Sequence, residues 1–173
     1  MKNAHFIYDL ITETDVDQEG KPILRAQKAQ VGVDLTLRSV TKMTGGGFIL
    51  ADPEKPRHGG TQALPVEALV TDKKIHEGWH LAPGAYAIEF DQGLKPLPKD
   101  CTAFIVDRSS VGRNASEVRS SVYDPGFTTP IMGARLYVWE QIFIEQHARV
   151  AQLVIHDNED ADLYKGQYQG KSI

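Results

Sequence analysis

From Leu81 onward the chain rarely runs ten residues without a turn signal, and this punctuation limits what it can fold into. Leu81-Ala82-Pro83-Gly84 reads as a turn and Ala85 to Phe90 as a strand. Leu94 to Lys99 carries Pro96 and Pro98, and Cys101 to Val106 is again strand-like. Ile131 to Ile144 is rich in β-branched and aromatic residues, and Arg149 to Ile155 alternates into a last strand. Upstream, Gln30 to Val40 places Val31, Val33, Leu35 and Leu37 on one side of a period-two pattern, the mark of a half-buried strand. Many short strands separated by Gly and Pro predict an all-β sandwich, barrel or jelly roll. Helix is expected only near the N-terminus, where residues 5 to 12 suit a short helix or strand, and over Ser109 to Val118. Residues 13 to 30 read as loop, and the Gly/Pro cluster over Thr44 to Thr61 as turns and mobile loop.

A chain of 173 residues with 41% hydrophobic composition can bury a core without disulfides. The single cysteine, Cys101, excludes an intrachain disulfide and a cysteine-rich metal site. A net charge of −4 argues against a nucleic-acid-coating role. No apolar run reaches membrane-spanning length, and the N-terminus lacks the apolar stretch of a secretory signal. The expectation is a soluble cytoplasmic protein with no nucleic-acid or membrane partner. It is read as one domain over 1–173, with 157–173 a polar, mobile C-terminal lid.

Two segments carry candidate chemistry. Asp107-Arg108-Ser109-Ser110-Val111-Gly112-Arg113 offers hydroxyl, guanidinium and main-chain donors at a tight turn, a set suited to phosphate. Its alternative is a helix start, where serine is favoured anyway. Val122-Tyr123-Asp124-Pro125-Gly126-Phe127 offers a carboxylate that is also the natural first residue of an Asp-Pro-Gly turn. Gln152, within Val150-Ala151-Gln152-Leu153-Val154, is an odd choice for a buried strand unless its amide has partners. His76 and His80 stand at a spacing that binds metal on a helix, but Gly78 lies between them and no third ligand is evident.

In this order these segments resemble the trimeric dUTPases and dCTP deaminases. Val33-Asp34-Leu35-Thr36-Leu37 is similar to the family's first motif and Arg108 to Arg113 to its second. Val122 to Phe127 is similar to the third, Arg149 to Leu153 to the fourth, and Tyr164 to Lys171 to the fifth. The resemblance runs from about Val31 to the C-terminus and leans in its wording toward the deaminase side. It implies a distorted β-barrel or jelly roll with short helices. It also implies a homotrimer whose shared active sites take a deoxynucleoside triphosphate, dUTP or dCTP, with Mg²⁺ held mainly by the phosphates.

Carried over residue by residue, the resemblance makes Asp124 the base that activates water against the α-phosphorus, yielding dUMP and pyrophosphate. Arg108, Ser109, Ser110 and Gln152 would contact phosphates, and Arg113 would add charge or tie subunits together. Phe127 would stack on the deoxyribose, and the main chain of Ser121-Val122-Tyr123 would read the base. Tyr164, Lys165, Gln169 and Lys171 would fold over the triphosphate, although this tail lacks the family's arginine and phenylalanine. Gln167 stands where deaminases often have lysine. Phe127 as plain core, Gln152 as an outward strand position and the tail as a disordered terminus remain open.

The deaminases of the family use a glutamate on the strand after the Asp-Pro-Gly turn. An ungapped count places that position at Ala134, which cannot carry a proton. Val122 stands where many deaminases have arginine. Both point to dUTP hydrolysis. Two alternatives stay open: a zinc-independent dCTP deaminase, mono- or bifunctional, using a displaced carboxylate such as Glu140 or Glu145, and a catalytically silent, regulatory nucleotide-binding trimer.

Overall fold

The computed structural model describes residues 1–46, 59–159, 161–166 and 169–171. The chain opens with helix α1 (Ala4–Leu10) and strands β1 (Ile11–Glu13), β2 (Gln27–Lys28) and β3 (Val33–Met43). There follow β4 (Thr61–Ala63), β5 (Glu67–Val70), β6 (Ile75–Leu81), β7 (Gly84–Phe90), β8 (Gln92–Leu94) and β9 (Cys101–Asp107). Helix α2 (Ser109–Arg113) precedes β10 (Ser116–Arg119), β11 (Gly133–Val138), β12 (Ile142–Glu145) and β13 (Arg149–Asp157).

Six of these strands close on themselves. The hydrogen-bonded order β13-β9-β10-β11-β7-β3 returns to its start through pairing of β3 with β13, all antiparallel. Closure leaves this ring without a free sheet edge, which is how a chain of short strands avoids pairing with its neighbours. Strands β2 and β4 pair with β3 outside the ring, β5, β6 and β12 form a three-stranded sheet, and β1 pairs with β8. The mainly β barrel expected from the sequence is the fold observed.

Period-two patterning explains the inside and outside of the ring. Tyr86, Ile88 and Phe90 of β7 point into the core, while Ala85, Ala87 and Glu89 stay half-exposed. On β11, Ala134, Leu136 and Val138 point inward and Arg135 and Tyr137 outward. A six-stranded ring has a narrow interior, so large inward side chains need small ones opposite. Ala103, Ala134 and Ala151 supply that room beside Leu35, Leu37, Leu136 and Leu153. Strand β3 is buried without a break from Val33 to Leu37, because it pairs on both sides and carries β2 as well.

The N-terminal segment divides its residues between both expected forms. Asn3 caps α1 by accepting from Phe6 N through Oδ1 at 3.0 Å, Ile7 is fully buried, and Ile11 then turns extended into β1. Residues 13 to 30, expected as loop, hold the short β2 and a bridge of Val16 with Pro22. The helix expected over Ser109 to Val118 stops at Arg113. Ala115 adopts φ 49°, and Ser116 and Val118 then bury alternately as a strand of the ring. The Gly/Pro-rich stretch falls largely on 47–58, outside the described residues; beyond it lie β4 and β5. Among the described residues no helix is long and apolar enough to cross a membrane.

One buried ionic network joins four distant parts of the chain. Asp91, with no exposed surface, accepts from Thr36 Oγ1 at 2.6 Å and from His147 Nδ1 at 2.8 Å, both through Oδ2. Arg38 donates to Asp15 at 2.6 Å, and Arg25 lies 3.2 Å from the same carboxylate. Both guanidiniums also approach Asp91 to 3.9 Å. The hydrogen bond from Arg38 holds the Asp15 carboxyl below its usual range. His147, with φ 62°, places its Nε2 3.4 Å from Arg25.

Candidate functional site

Asp124, Pro125, Gly126 and Phe127 form a tight turn. Phe127 N donates to Asp124 O at 3.0 Å, and Gly126 has φ 80°. Proline second and glycine third at positive φ is the type II pattern. The two readings of Asp124 are therefore compatible. Its carbonyl closes the turn, while its side chain is exposed on a cleft of about 690 Å³, a size suited to a nucleotide. Phe127 lines the cleft and yet is only 5% exposed. It stacks on Tyr123 (ring centroids 4.9 Å apart, 13° between planes) and takes the edge of Tyr164 at 5.4 Å. It is core and cleft wall at once.

Tyr123 anchors this wall. Its hydroxyl donates to Gly133 O at 3.1 Å, and burial pushes the phenol far above its ordinary range. Its main-chain N–H and C=O are both taken by Ala103, at 2.9 and 3.0 Å. Of the segment Ser121-Val122-Tyr123, Tyr123 therefore offers a base no main-chain donor. Val122 is half exposed beside it.

The far side of the cleft comes from Thr41 and Met43 of β3, Ala87 and Glu89 of β7, and Arg135 of β11. Glu89 and Arg135 belong to no recognised motif. Their one signal in the sequence is that each is the polar member of an alternating strand. On β11 it is Arg135 that faces the cleft, whereas Ala134 packs into the core at 4% exposure. The ungapped count thus lands on the inward face, one residue before the cleft-facing position. Neither side chain is a carboxylate. Glu140 and Glu145 do not line the cleft: Glu140 is exposed in the turn before β12, and Glu145 pairs with Lys74 at 3.2 Å and His76 at 3.1 Å. His76 and His80 lie on a strand rather than a helix, and His80 packs against Phe143.

A second group gathers around Asp34, which is 3% exposed. Its carboxylate accepts from Gln152 Nε2 at 2.8 Å and Arg149 Nη1 at 3.3 Å, and lies 3.4 Å from Arg108 Nε. The amide of Gln152 thus has its partner, which explains a glutamine on a barrel strand. Arg108 is the N-cap of α2 without a side-chain cap bond, and Ser109 and Ser110 are exposed. Among the described residues neither serine hydroxyl is committed to capping. Arg113 is exposed in the last turn of α2. Arg108, Ser109, Ser110 and Gln152 do not line the cleft that Asp124 and Phe127 share.

The tail packs on the turn of its own chain. Tyr164 N donates to Pro125 O at 2.8 Å and Gly170 N to Thr128 O at 2.9 Å. The Gln169 side chain donates to Gly126 O at 2.8 Å, and Lys171 O accepts from Thr129 Oγ1 at 2.7 Å. Leu163 fills the space beside Gly126, where a Cβ would come within 3.0 Å of it. Lys165 is exposed, and Gln167 lies outside the described residues.

Among the described residues one set of carboxylate and imidazole groups is close enough to share a cation: Asp15, Asp91 and His147. The guanidiniums of Arg25 and Arg38 already balance it, so the set reads as structural.

Comparison with known proteins agrees with this geometry. The model of the dCTP deaminase-like family matches residues 1–158. A probable deoxyuridine 5'-triphosphate nucleotidohydrolase of Halobacterium salinarum is 31% identical over 152 residues, covering 86% of this chain and 87% of that protein. The deoxyuridine 5'-triphosphate nucleotidohydrolase of Methanocaldococcus jannaschii is 30% identical over 149 residues, covering 84% and 88%. The crystal structure of 2'-deoxycytidine 5'-triphosphate deaminase from Agrobacterium tumefaciens superposes with a TM-score of 0.53 at 20% identity, over 87% of this chain and 44% of that one. It shares the fold.

Proposed function

Because this chain belongs to the dCTP deaminase-like family, we propose that it hydrolyses dUTP to dUMP and pyrophosphate. The observation that carries this reading is the exposed Asp124 carboxylate on the cleft walled by Phe127, in a chain about 30% identical to proteins named as dUTP nucleotidohydrolases. Asp124 orients a water and takes its proton as the water attacks the α-phosphorus. Phe127 lies against the deoxyribose and leaves no room for a 2′-hydroxyl. Tyr123, stacked behind Phe127 and buried, backs the ring in that position.

Arg108, Ser109, Ser110 and Gln152 bind the phosphates, and Asp34 holds two of them in place. Their absence from the Asp124 cleft supports a homotrimer in which one subunit supplies the base and sugar side and another the phosphate side. Arg113 adds positive charge at the same helix. Lys165 and Lys171 are the charged groups the tail brings to the triphosphate. Tyr164 and Gln169 dock the tail on the turn as it closes over the substrate.

Mg²⁺ fits this chain as an ion carried by the substrate, and bound so it would supply the positive charge that the phosphates need. Asp34 is engaged by Arg108, Arg149 and Gln152, and no cluster of three acidic or imidazole ligands lines the cleft among the described residues. Such sparing use of protein ligands is ordinary for Mg²⁺.

The decisive experiment incubates the protein with Mg²⁺ and either dUTP or dCTP, and separates the products while ammonia is followed. Production of dUMP and pyrophosphate from dUTP with dCTP unchanged supports the hydrolase. Ammonia from dCTP would establish the second reading, a deaminase, to which the family's description lends weight. On β11 the cleft-facing residue is Arg135, so a deaminase here would have to use Glu89 of the neighbouring strand as its proton carrier. Saturable binding without product would leave a regulatory trimer.

Asp34→Asn tests the phosphate group. It removes the charge that fixes Arg108 and Gln152 while preserving shape. We expect kcat/KM for dUTP to fall about 10- to 100-fold, the value of one or two charge-assisted hydrogen bonds, chiefly through KM. Unchanged steady-state kinetics would remove Asp34 from the site.

A further inference from the structure

We infer that Glu89 and Arg135 are side-chain readers of the pyrimidine edge and set the preference for uracil over cytosine. The inference rests on the dUTP reading above. Three observations motivate it. First, the Tyr123 N–H is committed to Ala103, so one donor of the expected main-chain reader is out of use. Second, Glu89 and Arg135 both face the cleft that holds Asp124, Phe127 and Tyr164. Third, neither forms an ion pair within 4 Å of another described residue.

Two half-buried charges of opposite sign on one cleft, with no charged partner among the described residues, suit a polar ligand. Glu89 is not loose. Ser39 Oγ donates to its Oε2 at 2.7 Å, which fixes the carboxylate, and among the described residues Oε1 has no hydrogen-bond partner. The ladder also keeps space above it. Glu89 stands directly opposite Gly133, which has no side chain, and Arg135 stands opposite Ala87, one step along the same face. Diagonal neighbours on one face are about 7–8 Å apart at Cα, near enough for two long side chains to converge on one small ring.

The chemistry of the edge makes the pair selective. Uracil presents N3–H, a donor, beside O4, an acceptor. A carboxylate accepts from the first and a guanidinium donates to the second. Cytosine presents a bare N3 lone pair and an N4 amine. In the same pose the carboxylate then faces a lone pair and the guanidinium faces a donor, so both contacts become repulsive. A site built to hydrogen-bond one edge rejects the other because its own polar groups are left unpaired.

The test is Glu89→Gln, which keeps the size of the side chain and makes it able to donate as well as accept. Arg135→Gln and Ser39→Ala accompany it. Pyrophosphate release from dUTP and dCTP, and competitive inhibition by dCTP, are measured on the wild type and all variants. We expect E89Q to lose about 10- to 100-fold in kcat/KM for dUTP, mainly through KM, as charge-assisted hydrogen bonds do. Inhibition by dCTP should not weaken, so the dUTP:dCTP preference narrows by the same factor. Arg135→Gln should narrow it too, and Ser39→Ala less, since it only frees the carboxylate. Should E89Q fail to fold, Arg135→Gln and Ser39→Ala decide the matter. A preference unchanged within about twofold in the folded variants would overturn the inference. If the wild type does not hydrolyse dUTP, the hydrolase reading fails. The ratio of dUTP to dCTP dissociation constants, compared between wild type and variants, still decides whether Glu89 and Arg135 read the base.

Discussion

Asp124→Asn is expected to fold, bind dUTP with little change in affinity, and turn it over about 10²- to 10⁴-fold more slowly, the span that a positioned general base contributes. The reasoning separates two jobs of one residue. The turn depends on the Asp124 carbonyl, which accepts from Phe127 N, on Pro125 and on the positive φ of Gly126. Asparagine preserves all three and is itself well suited to a turn. What it loses is the carboxylate that takes a proton from water. Single-turnover dUMP formation, with binding of a non-hydrolysable dUTP analogue measured in parallel, checks this. Wild-type turnover in the variant would assign Asp124 to the turn alone. Loss of binding and of thermal stability together would mean that asparagine disturbs the turn, and Asp124→Glu, with its carboxylate displaced, would then separate the roles.

The second large effect lies away from the cleft. Asp91→Asn should destabilise the fold by about 3 kcal/mol, because the buried carboxylate accepts from Thr36 and His147 and faces two guanidiniums, and a neutral amide cannot serve them all. For a domain of this size the melting temperature should fall by roughly 6–12 °C. Asp91 has no exposed surface and is approached by Thr36 and Arg38 of β3, by His147 in the turn between β12 and β13, and by Arg25 of the N-terminal segment. Asparagine turns an acceptor-only side chain into one that must point an amide at donors. The contrast variant is His147→Gly. It gives up the 2.8 Å hydrogen bond to Asp91, but glycine adopts φ 62° without strain, so its cost should be smaller. Equal effects of the two, or an Asp91→Asn shift below about 1 kcal/mol by urea unfolding, would mean that the network is not cohesive.

Much of the barrel is legible in the sequence. The alternation in Ala85 to Phe90 and Arg149 to Ile155 marks strands β7 and β13, and the Asp-Pro-Gly-Phe stretch marks a turn. The five-residue helix and the strand after it are less legible. Ser109 to Val118 contains no proline, and nothing local says that Ala115 takes a left-handed conformation. The count to Ala134 shows a sharper limit. A strand's side chains change face at every residue, so an ungapped count that misses by one exchanges core for cleft. Register is decided by pairing with β7, which places Arg135 opposite Ala87 and Ala134 opposite Ile88.

The cleft residues divide in the same way. Asp124 and Phe127 are recognisable because they share a short segment, and Arg108, Ser109 and Ser110 for the same reason. Glu89 is separated from Asp124 by 35 residues and carries no local pattern beyond alternation. Only β7 lying beside β11 brings it to the cleft. Asp34 carries no local signal beyond its place in the Val33–Leu37 motif, and its link to Gln152 comes from a contact 118 residues apart.

By itself, then, the order of residues determined which segments extend, where the chain turns and which short motifs carry oxygen and nitrogen donors. These properties depend on neighbours within a few positions, through side-chain period, proline and glycine. Closure of the ring, the pairing of β3 with β13, the face each polar side chain takes and the company each buried charge keeps were decided by the tertiary structure. They depend on contacts between residues far apart in the chain, whose selection rests on packing and on satisfying buried polar groups across the whole barrel.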